Sequence, residues 1–422
     1  MKIRIENAHI MDSSTGWDAF GDLYLADGLL CEGAADFAAD AVLDAAGLIA
    51  APGLVDLHVH LRDPGQTEKE DFASGAAAAA AGGVTTLVAM PNTAPPMDNA
   101  ALLAETLQRA AMQPINILQA ACVSQGLGEE AAVDFAALAA AGAAAFSDDG
   151  KPIHNAGLLK TALLEAQKYG VPLLAHCEEL SLAQGGLVNS GAAKTLGVRA
   201  LPPAAEDVGT AREVMLAWAE GLPVHICHVS TKTSLALLCA AKADGAPVTA
   251  ETAPHYFSLD ENALTQRDAN LRMNPPLRSA EDVAAVIAAL QDGTIDAIAT
   301  DHAPHTPAQK ADFDTAPNGI IGMETSLSAG ITYLVNPGHI SLMRLLDLMS
   351  SSPAKILGRE KQAGSLQPGF PADIVLFDPQ EKWEIRAQDL HGKSQNCPYI
   401  GKTLLGRVKY TICNGKIIYK EN

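Results

Sequence analysis

The sequence predicts an α/β fold, a (β/α)8 barrel of the TIM type with a small β-sandwich domain composed of both chain ends. Three observations support this prediction. From Leu54 onward, apolar strand-like runs alternate with alanine-rich helical segments at intervals of about 30 residues. Both chain ends are rich in strand patterns. A doubly wound open sheet would instead need a glycine-rich phosphate-binding turn after an early strand, and Gly82-Gly83 precedes its strand.

The predicted barrel strands are short, apolar and partly β-branched, as buried parallel strands are. They are placed at residues 54–60, 84–90, 115–123, 143–148, 171–177, 223–229, 247–252 and 295–300. Helical segments are placed near 68–82, 98–112, 129–141, 155–169, 204–220, 231–245 and 280–291, with two more near 323–335 and 341–350. Eight strands that alternate with helices close most economically into a barrel.

The two chain ends predict a composite domain. Residues 1–50 contain short strand patterns and turns and no segment of helical periodicity. Strand patterns resume near the C-terminus, and each end is too short to fold well alone. We therefore expect one small β domain from residues 1–52 and 359–422, beside a barrel domain over residues 53–358.

Composition and charge narrow the class of protein. The 422-residue chain has a net charge of −20 at pH 7, which argues against nucleic acid or an anionic membrane as a partner. No apolar run approaches the ~20 residues that span a bilayer, and the N-terminus lacks the apolar core of a secretion signal. The 7 cysteines are odd in number and lack paired spacing, which predicts reduced thiols in a cytoplasmic protein.

The pair His58 and His60 is the strongest local signal for chemistry. Strand side chains repeat every two residues, so both imidazoles leave the same face of the predicted strand. The strand ends at once in a turn, which places the pair near its carboxyl end, where barrels of this type place their chemistry. Neutral imidazole is a standard zinc ligand. The alternative for an isolated pair is two histidines hydrogen-bonded inside a core.

Further candidate ligands end the other predicted strands. The fourth strand ends in Ser147-Asp148-Asp149-Gly150, the fifth in His176-Cys177-Glu178, the sixth in His228, and the eighth in Asp301-His302, followed by His305. Taken singly, Asp148-Asp149-Gly150 is favourable turn chemistry. Taken together at one barrel mouth, histidines and carboxylates suit one or two divalent ions of the zinc type, with a bound water whose pKa falls towards roughly 7.

Long motifs along the whole chain carry a resemblance to a known family. They are PGLVDLHVHLRDPG (52–65), AMPNT (89–93), AFSDDG (145–150), AHCEE (175–179), CHVST (227–231), TAPHYF (252–257), MNPPLR (273–278), IATDHAPH (298–305) and GFPADIVLFD (369–378). On these motifs the sequence resembles the metal-dependent amidohydrolase superfamily. Within that superfamily it is similar to the class I, long bacterial type of the dihydroorotase family.

The resemblance implies a metal site with one or two zinc ions. His58 and His60 would hold the first ion together with Asp301, and His176 and His228 would hold the second. Asp149 would bridge the two ions, in place of the carboxylated lysine found in many superfamily members. Asp149 is preferred to Asp148 by its motif position alone, because both carboxylates are chemically suitable.

The resemblance also implies a reaction. N-carbamoyl-L-aspartate closes reversibly to L-dihydroorotate with loss of water, a step of de novo pyrimidine biosynthesis. In the opening direction a zinc-bound hydroxide would attack the ring amide carbonyl. Asp301 would act as general acid/base, taking the proton and passing it to the leaving ring nitrogen.

The substrate contacts implied by the resemblance fall into two groups. Arg62, Asn92 and His305 would bind the carboxylate end of the substrate, and Asn274, Asn318 and Gly319 would contact the dihydropyrimidine ring. His60 would also contact the substrate. Arg62 is the expected cation for the α-carboxylate, because its planar guanidinium binds a carboxylate through two hydrogen bonds. The alternative for Arg62 is a surface salt bridge with Asp63 or Glu68.

Two alternatives remain open at the level of the sequence. One is another cyclic amidase, a hydantoinase/dihydropyrimidinase or an allantoinase, but these generally lack the Arg-plus-Asn carboxylate site. The other is an inactive scaffold partner of aspartate transcarbamoylase, which would have lost its ligands, whereas every ligand position is occupied here. We expect a homodimer with a small-molecule substrate. An additional partnership with aspartate transcarbamoylase is compatible with the sequence.

Overall fold

The computed structural model of the protein describes residues 2–33 and 37–421. Strands in these ranges are numbered in chain order. They are β1 Lys2–Asp12, β2 Trp17–Ala26, β3 Leu29–Cys31, β4 Ala41–Asp44, β5 Ile49–Pro52, β6 Leu54–Val59, β7 Val84–Ala89, β8 Asn116–Ala121, β9 Ala145–Phe146, β10 Leu174–Ala175, β11 Val224–Ile226, β12 Val248–Thr252, β13 Ala297–Ile298, β14 Ile374–Glu384, β15 Thr403–Cys413 and β16 Lys416–Lys420. Three sheets result from their pairing in the described residues.

Strands β6 to β13 form the predicted barrel. They pair in parallel as two four-stranded sheets, β6-β7-β8-β9 and β10-β11-β12-β13. Parallel bridges between Phe146 and Leu173 and between Val59 and His302 join the two sheets at both seams. Each observed strand lies within a predicted one but is shorter, because the residues at the carboxyl ends leave the ladder to form the mouth of the barrel.

Helices connect the barrel strands and cover them from outside. They are α1 Phe72–Ala81, α2 Ala100–Ala110, α3 Phe135–Ala141, α4 Ala156–Tyr169, α5 Leu180–Ala183, α6 Ser190–Leu196, α7 Pro203–Glu220, α8 Lys232–Ala243, α9 Pro254–Ser258, α10 Ala280–Asp292, α11 Ser326–Gly330, α12 Leu342–Leu346 and α13 Ser352–Ile356. Asp71 begins α1 with a capping box to Ser74, which fixes where this alanine-rich segment becomes helical. The predicted helices at 323–335 and 341–350 are present but contain π turns at Ile331–Val335 and Asp347–Ser351.

The remaining strands, from both chain ends, join one eight-stranded sheet. Its order is β16-β15-β14-β5-β1-β2-β3, with β4 paired to β1. The link between the two ends is the antiparallel pair β5 and β14, in which Ala51 lies opposite Val375. Buried side chains from both ends, among them Ile3, Leu25 and Ile412, pack in one apolar cluster. The predicted composition of the small β unit from both ends is therefore confirmed at the level of the fold.

Membrane-spanning and disulfide-bonded structures are both missing from the described residues. No helix there combines the length and apolarity needed to cross a bilayer. All of the cysteines are free thiols, as their number and spacing predict.

Candidate metal and substrate site

The predicted ligands meet at the carboxyl ends of the barrel strands. His58 lies in β6 and His60 one residue beyond its end, while Asp149, His176, His228 and Asp301 follow β9, β10, β11 and β13. All six side chains are buried. The parallel strands deliver them to one place because each strand ends at the same rim of the barrel.

His58, His60 and Asp149 form the first group whose atoms lie close enough to share an ion. The Nε2 atom of His58 lies 3.2 Å from Oδ1 of Asp149, and Nε2 of His60 lies 3.4 Å from Oδ2. Asp301 adjoins this group, with Oδ1 3.3 Å from Nε2 of His60 and 3.7 Å from Nε2 of His58. The set contains two imidazoles and two carboxylates.

Asp149, His176 and His228 form the second group. The Nδ1 atom of His176 lies 3.5 Å from Oδ1 of Asp149 and 2.9 Å from Nε2 of His228. Asp149 is the member common to both groups. Its Oδ1 lies near His58, His176 and His228, and its Oδ2 lies near His60. Its carboxylate is therefore within reach of both groups.

Asp148 points away from both groups. Its Oδ1 accepts hydrogen bonds from the backbone N–H groups of Val123 and Ser124 at 2.7 and 3.2 Å, and its Oδ2 accepts from the Ser124 hydroxyl at 2.5 Å. Both oxygens are therefore occupied by the neighbouring loop. Of the two adjacent aspartates, Asp149 is the one placed among the histidines.

Three side chains outside the ligand groups orient the imidazole rings. Oε1 of Glu251 lies 3.3 Å from Nδ1 of His58, and Oδ1 of Asn92 lies 2.9 Å from Nδ1 of His60. Oε2 of Glu178 lies 3.3 Å from Nε2 of His176. Each acceptor can take an N–H from that ring nitrogen, so the other nitrogen, once deprotonated, can face an ion.

Burial, charge and donor chemistry of this cluster fit a divalent cation. Nε2 of His58 is buried and has no hydrogen-bond partner in the described part of the chain. Burial opposes the charged form of Asp149, but the His58 charge and hydrogen bonds from the other histidines hold the pKa of that carboxyl well below its usual range. For Asp301, burial is likewise outweighed by the hydrogen bond with His60, and the pKa falls to about 2. Ionised oxygens beside imidazole nitrogens are a donor set that suits zinc-type ions.

A cavity of about 250 Å³ opens beside the cluster. Its lining includes every residue that the sequence predicts as a substrate contact, namely His60, Arg62, Asn92, Asn274, His305, Asn318 and Gly319. Burial lowers the pKa of Arg62 to about 10, against the opposing effect of the Asp301 and Asp149 carboxylates, so the guanidinium is charged at neutral pH. Arg62 is therefore part of the cavity wall, and its side chain forms no salt bridge in the described ranges with Asp63 or Glu68.

His305 and Gly319 meet on the wall of this cavity. Burial and the nearby Arg62 charge lower the pKa of His305 to about 3, so the ring is neutral, and its Nε2–H donates to the carbonyl of Asn318 at 2.9 Å. Gly319 has φ +138°, and a Cβ there would lie 2.9 Å from Nε2 of His305 and 2.7 Å from the carbonyl of Ala303. Only glycine fits this close approach.

The backbone is unusual where the chemistry is concentrated. Arg62, His228 and Asp301 adopt left-handed conformations, with φ values of 60°, 38° and 48°. Such conformations cost non-glycine residues about 1–3 kcal/mol each and concentrate at functional sites. The surrounding barrel holds these side chains in place against that cost.

Sequence reasoning missed Glu251 as a member of the site, and it named Glu178 at the end of the fifth strand without giving it a role. Glu251 lies on β12, almost fully buried, between His58 and His225, whose Nε2 is 3.2 Å from its Oε2. The available signal was a single charged residue in the short, largely buried strand Val248–Thr252. A larger cavity of about 590 Å³ lies between the small β unit and α1, and none of the predicted site residues lines it.

Comparisons with known proteins agree with this geometry. The model of the amidohydrolase family matches residues 49–418. The chain is 45% identical over 426 residues to a dihydroorotase of Citrifermentans bemidjiense, with full coverage of both chains, and 45% identical over 427 residues to a dihydroorotase of Geobacter metallireducens, again with full coverage.

Solved structures show the same fold. An L-hydantoinase (dihydropyrimidinase) from Arthrobacter aurescens superposes with a TM-score of 0.90 at 26% identity, covering 100% of this chain and 96% of that one. A dihydropyrimidinase from Brevibacillus agri gives 0.87 at 26% identity, covering 100% and 95%. The two dihydroorotases and the two solved structures each match this chain over its full length, through the barrel and the small β unit.

Proposed function

Because the chain belongs to the amidohydrolase family, we propose that it interconverts N-carbamoyl-L-aspartate and L-dihydroorotate, as a metal-dependent dihydroorotase. The observation that carries the proposal is the pairing of two features in one cavity. Arg62, a cation at neutral pH, lines the same cavity as the Asp149–His176–His228 group. A cyclic amide that also bears a carboxylate matches both features.

Substrate binding would begin at Arg62. A guanidinium binds a carboxylate through two parallel hydrogen bonds, and this pairing is strong where water is excluded. The chain carries a net charge of −20, so a local cation is needed to bind an anionic substrate against the overall field. The ring would then lie between Arg62 and the ligand groups, within reach of Asn274 and Asn318.

We propose zinc as the resident metal, held by His58, His60 and Asp301 on one side and by His176 and His228 on the other, with Asp149 between them. Bound zinc would polarise the amide carbonyl, stabilise the oxyanion and lower the pKa of water. The imidazole nitrogens and ionised carboxylates described above are the residues' own contribution to that binding, and a bound ion would replace the proton on each ligating ring nitrogen.

Proton transfer would be carried by Asp301. With a pKa of about 2, its carboxylate is free to accept a proton at neutral pH. In ring opening it would take the proton of the attacking water and give it to the ring nitrogen as the C–N bond breaks. In ring closure the same carboxylate would accept the proton of the carbamoyl nitrogen as the C–N bond forms, and give it to the hydroxide that leaves as the C–O bond breaks, which releases water. A positioned carboxylate in this role contributes typically ~10² to 10⁴-fold to rate.

One assay separates this function from its nearest rival. Purified protein is given L-dihydroorotate, hydantoin and allantoin side by side, and bound metal is counted in the same sample. We expect turnover of dihydroorotate to exceed that of either other substrate by at least about 10²-fold, because only dihydroorotate uses Arg62. Preference for hydantoin would instead place the chain with the hydantoinases it resembles in fold. No turnover with full metal content would favour a scaffold role.

A further inference from the structure

Two buried basic side chains, Arg272 and Lys310, bind the loop that carries the cavity-lining residue Asn318, and burial together with the nearby Arg272 charge lowers the pKa of Lys310 to about 7. Their relative exposures are 5% and 9%. Neither forms a salt bridge with any carboxylate in the described residues, although a buried cation is normally paired with one. Their hydrogen bonds go to main-chain carbonyls and to one side-chain amide, all in the segments that line the cavity. The two side chains therefore hold main-chain and amide groups of these segments in position.

Arg272 holds the loop formed by residues 312–319. Its Nη1 donates to the carbonyl of Phe313, and its guanidinium carbon lies 5.6 Å from the centre of the Phe313 ring. Its Nη2 donates to Oδ1 of Asn318 at 3.1 Å. The guanidinium therefore hydrogen-bonds to the loop near its start, at Phe313, and near its cavity-lining end, at Asn318. It also determines which way the Asn318 amide faces, because only the amide oxygen can accept from it.

Lys310 fixes the same loop through the main chain. Its Nζ donates to the carbonyl of Pro317 at 2.9 Å and to the carbonyl of Arg272 at 3.2 Å. The Arg272 carbonyl also accepts from the N–H of Gly319 at 2.9 Å. Lys310 thus ties the loop to the segment that carries Arg272.

The main chain at Asn318 and Gly319 has little left to offer a ligand. The Asn318 carbonyl accepts from His305, the Gly319 N–H is bound to Arg272, and the Gly319 carbonyl accepts from Nδ2 of Asn396 at 3.0 Å. The Nδ2 group of Asn318 makes no hydrogen bond within the described ranges, and Asn318 lines the cavity. This amide N–H group is therefore a side-chain donor that the loop can present to the cavity.

We propose that Arg272 and Lys310 are positioning residues for substrate recognition, which hold the loop so that Nδ2 of Asn318 donates to a carbonyl oxygen of the bound ring. The inference rests on the proposed function for the identity of the ring, but it names residues beyond those that touch the substrate. Without Arg272 the amide would be free to rotate, and the bound ring would lose an oriented donor.

A double-mutant cycle tests the proposal. Arg272→Met, Asn318→Ala and the double variant are compared with wild type for KM and kcat on dihydroorotate, with bound metal counted in each. Loss of one oriented donor should raise KM by about 10-fold and change kcat by less than about 3-fold, with metal content unchanged. Because Arg272 acts through Asn318, the double variant should be no worse than Asn318→Ala alone.

The chain offers a matched control. Arg267 also binds this loop, through a 2.6 Å salt bridge to Asp314, but its side chain is 47% exposed and it does not contact Asn318. Arg267→Met should leave KM unchanged. Lys310→Met should raise KM in the same direction as Arg272→Met, and Lys310→Arg should restore part of the affinity.

Other outcomes would overturn the proposal. Multiplicative losses in the double variant, or a fall in kcat together with bound metal, would show that Arg272 only supports the fold. If Arg272→Met is insoluble, Arg272→Lys takes its place in the same cycle. Lysine keeps the charge but cannot bind the Phe313 carbonyl and the Asn318 amide together. If wild type opens hydantoin or dihydrouracil but not dihydroorotate, the proposed function fails, and the cycle is run on the ring that is opened.

Discussion

Asp56 and Thr300 bind the first strand of the barrel to the end of the last one. Oδ2 of Asp56 accepts from the Thr300 hydroxyl at 2.6 Å, and Oδ1 accepts from the Thr300 backbone N–H at 3.0 Å. Both side chains are buried. This contact lies at the seam where β6 meets the segment after β13. His58 and Asp301, two of the predicted ligands, lie within two residues of Asp56 and Thr300 in the chain, so the Asp56 carboxylate stabilises the seam that carries them.

The first prediction concerns that seam. Asp56→Ala would leave the Thr300 hydroxyl and N–H without their acceptor, and the His58 N–H as well. We expect the free energy of unfolding to fall by roughly 3 to 5 kcal/mol. Thr300→Val removes only the hydroxyl bond and should cost roughly 1 to 2 kcal/mol. Urea unfolding in the presence of a chelator measures both without a contribution from metal loss, and equal costs would contradict this account.

The second prediction separates the two adjacent aspartates. Asp149→Asn should lose bound metal and lower kcat/KM by at least about 10²-fold, because it weakens the one carboxylate shared by both ligand groups. Asp148→Asn should keep its metal, since that side chain binds Val123 and Ser124. Elemental analysis of the two purified variants gives the answer. The reverse ranking would assign the bridge to Asp148.

The third prediction concerns substrate choice at Arg62. Arg62→Met would leave the substrate carboxylate desolvated without its cation, and kcat/KM for dihydroorotate should fall by about 10² to 10³-fold. Arg62→Lys should recover only part of that loss, because an ammonium lacks the planar fork. Dihydrouracil, which has no carboxylate, is the control substrate. Equal losses on both substrates would mean that Arg62 supports the metal site instead.

The fourth prediction is a pH dependence of stability from Glu213, a residue of α7. Burial raises the pKa of this carboxyl to about 8, against the opposing effect of the Arg212 charge, and its Oε2 has no hydrogen-bond partner among the described residues. The folded state therefore holds a proton that the unfolded state releases from about pH 4.5 upward. Stability from this group is complete below that pH and is lost as the pH rises towards 8.

Glu213→Gln removes the titrating proton and leaves a side chain of similar shape. The variant should match wild type near pH 4.5 and become the more stable protein as the pH rises to 8, by up to about 1.4 kcal/mol per pH unit. Thermal unfolding of both proteins across this range measures the difference, in which the other titrating groups cancel. A difference that does not change with pH would show that Glu213 is ionised in the folded protein.

The barrel could be predicted from the sequence because its strands are buried on both faces. Such strands appear as apolar runs bounded by turns, and each observed strand from β6 to β13 lies within a predicted run. The ends of those strands were less predictable. Each strand ends where its backbone leaves the ladder, and this depends on hydrogen bonds with neighbouring segments. An example is Asp148, whose Oδ1 accepts from the backbone N–H of Val123.

The structure brings the predicted site residues together at the barrel mouth, but the sequence did not predict the hydrogen bonds that join them. Asn92 was expected to contact the substrate carboxylate, and it does line the cavity, but its amide also joins the ligand groups. Its Oδ1 accepts from His60, and its Nδ2 donates to Oδ2 of Asp149 at 3.0 Å. Contacts of this kind join residues far apart in the chain, and no local pattern marks them. Glu251 was missed for the same reason.

The pairing of β5 with β14 has a consequence for biosynthesis. The first five strands leave the ribosome before the barrel, but β5 lacks one of its two neighbours until Ile374–Glu384 has been made. Throughout that interval the strand edge of β5 and apolar side chains such as Ile3 and Ile5 lack their final cover, a state prone to aggregation. The N-terminal strands of this protein therefore reach their final packing only after the C-terminal strands have been made.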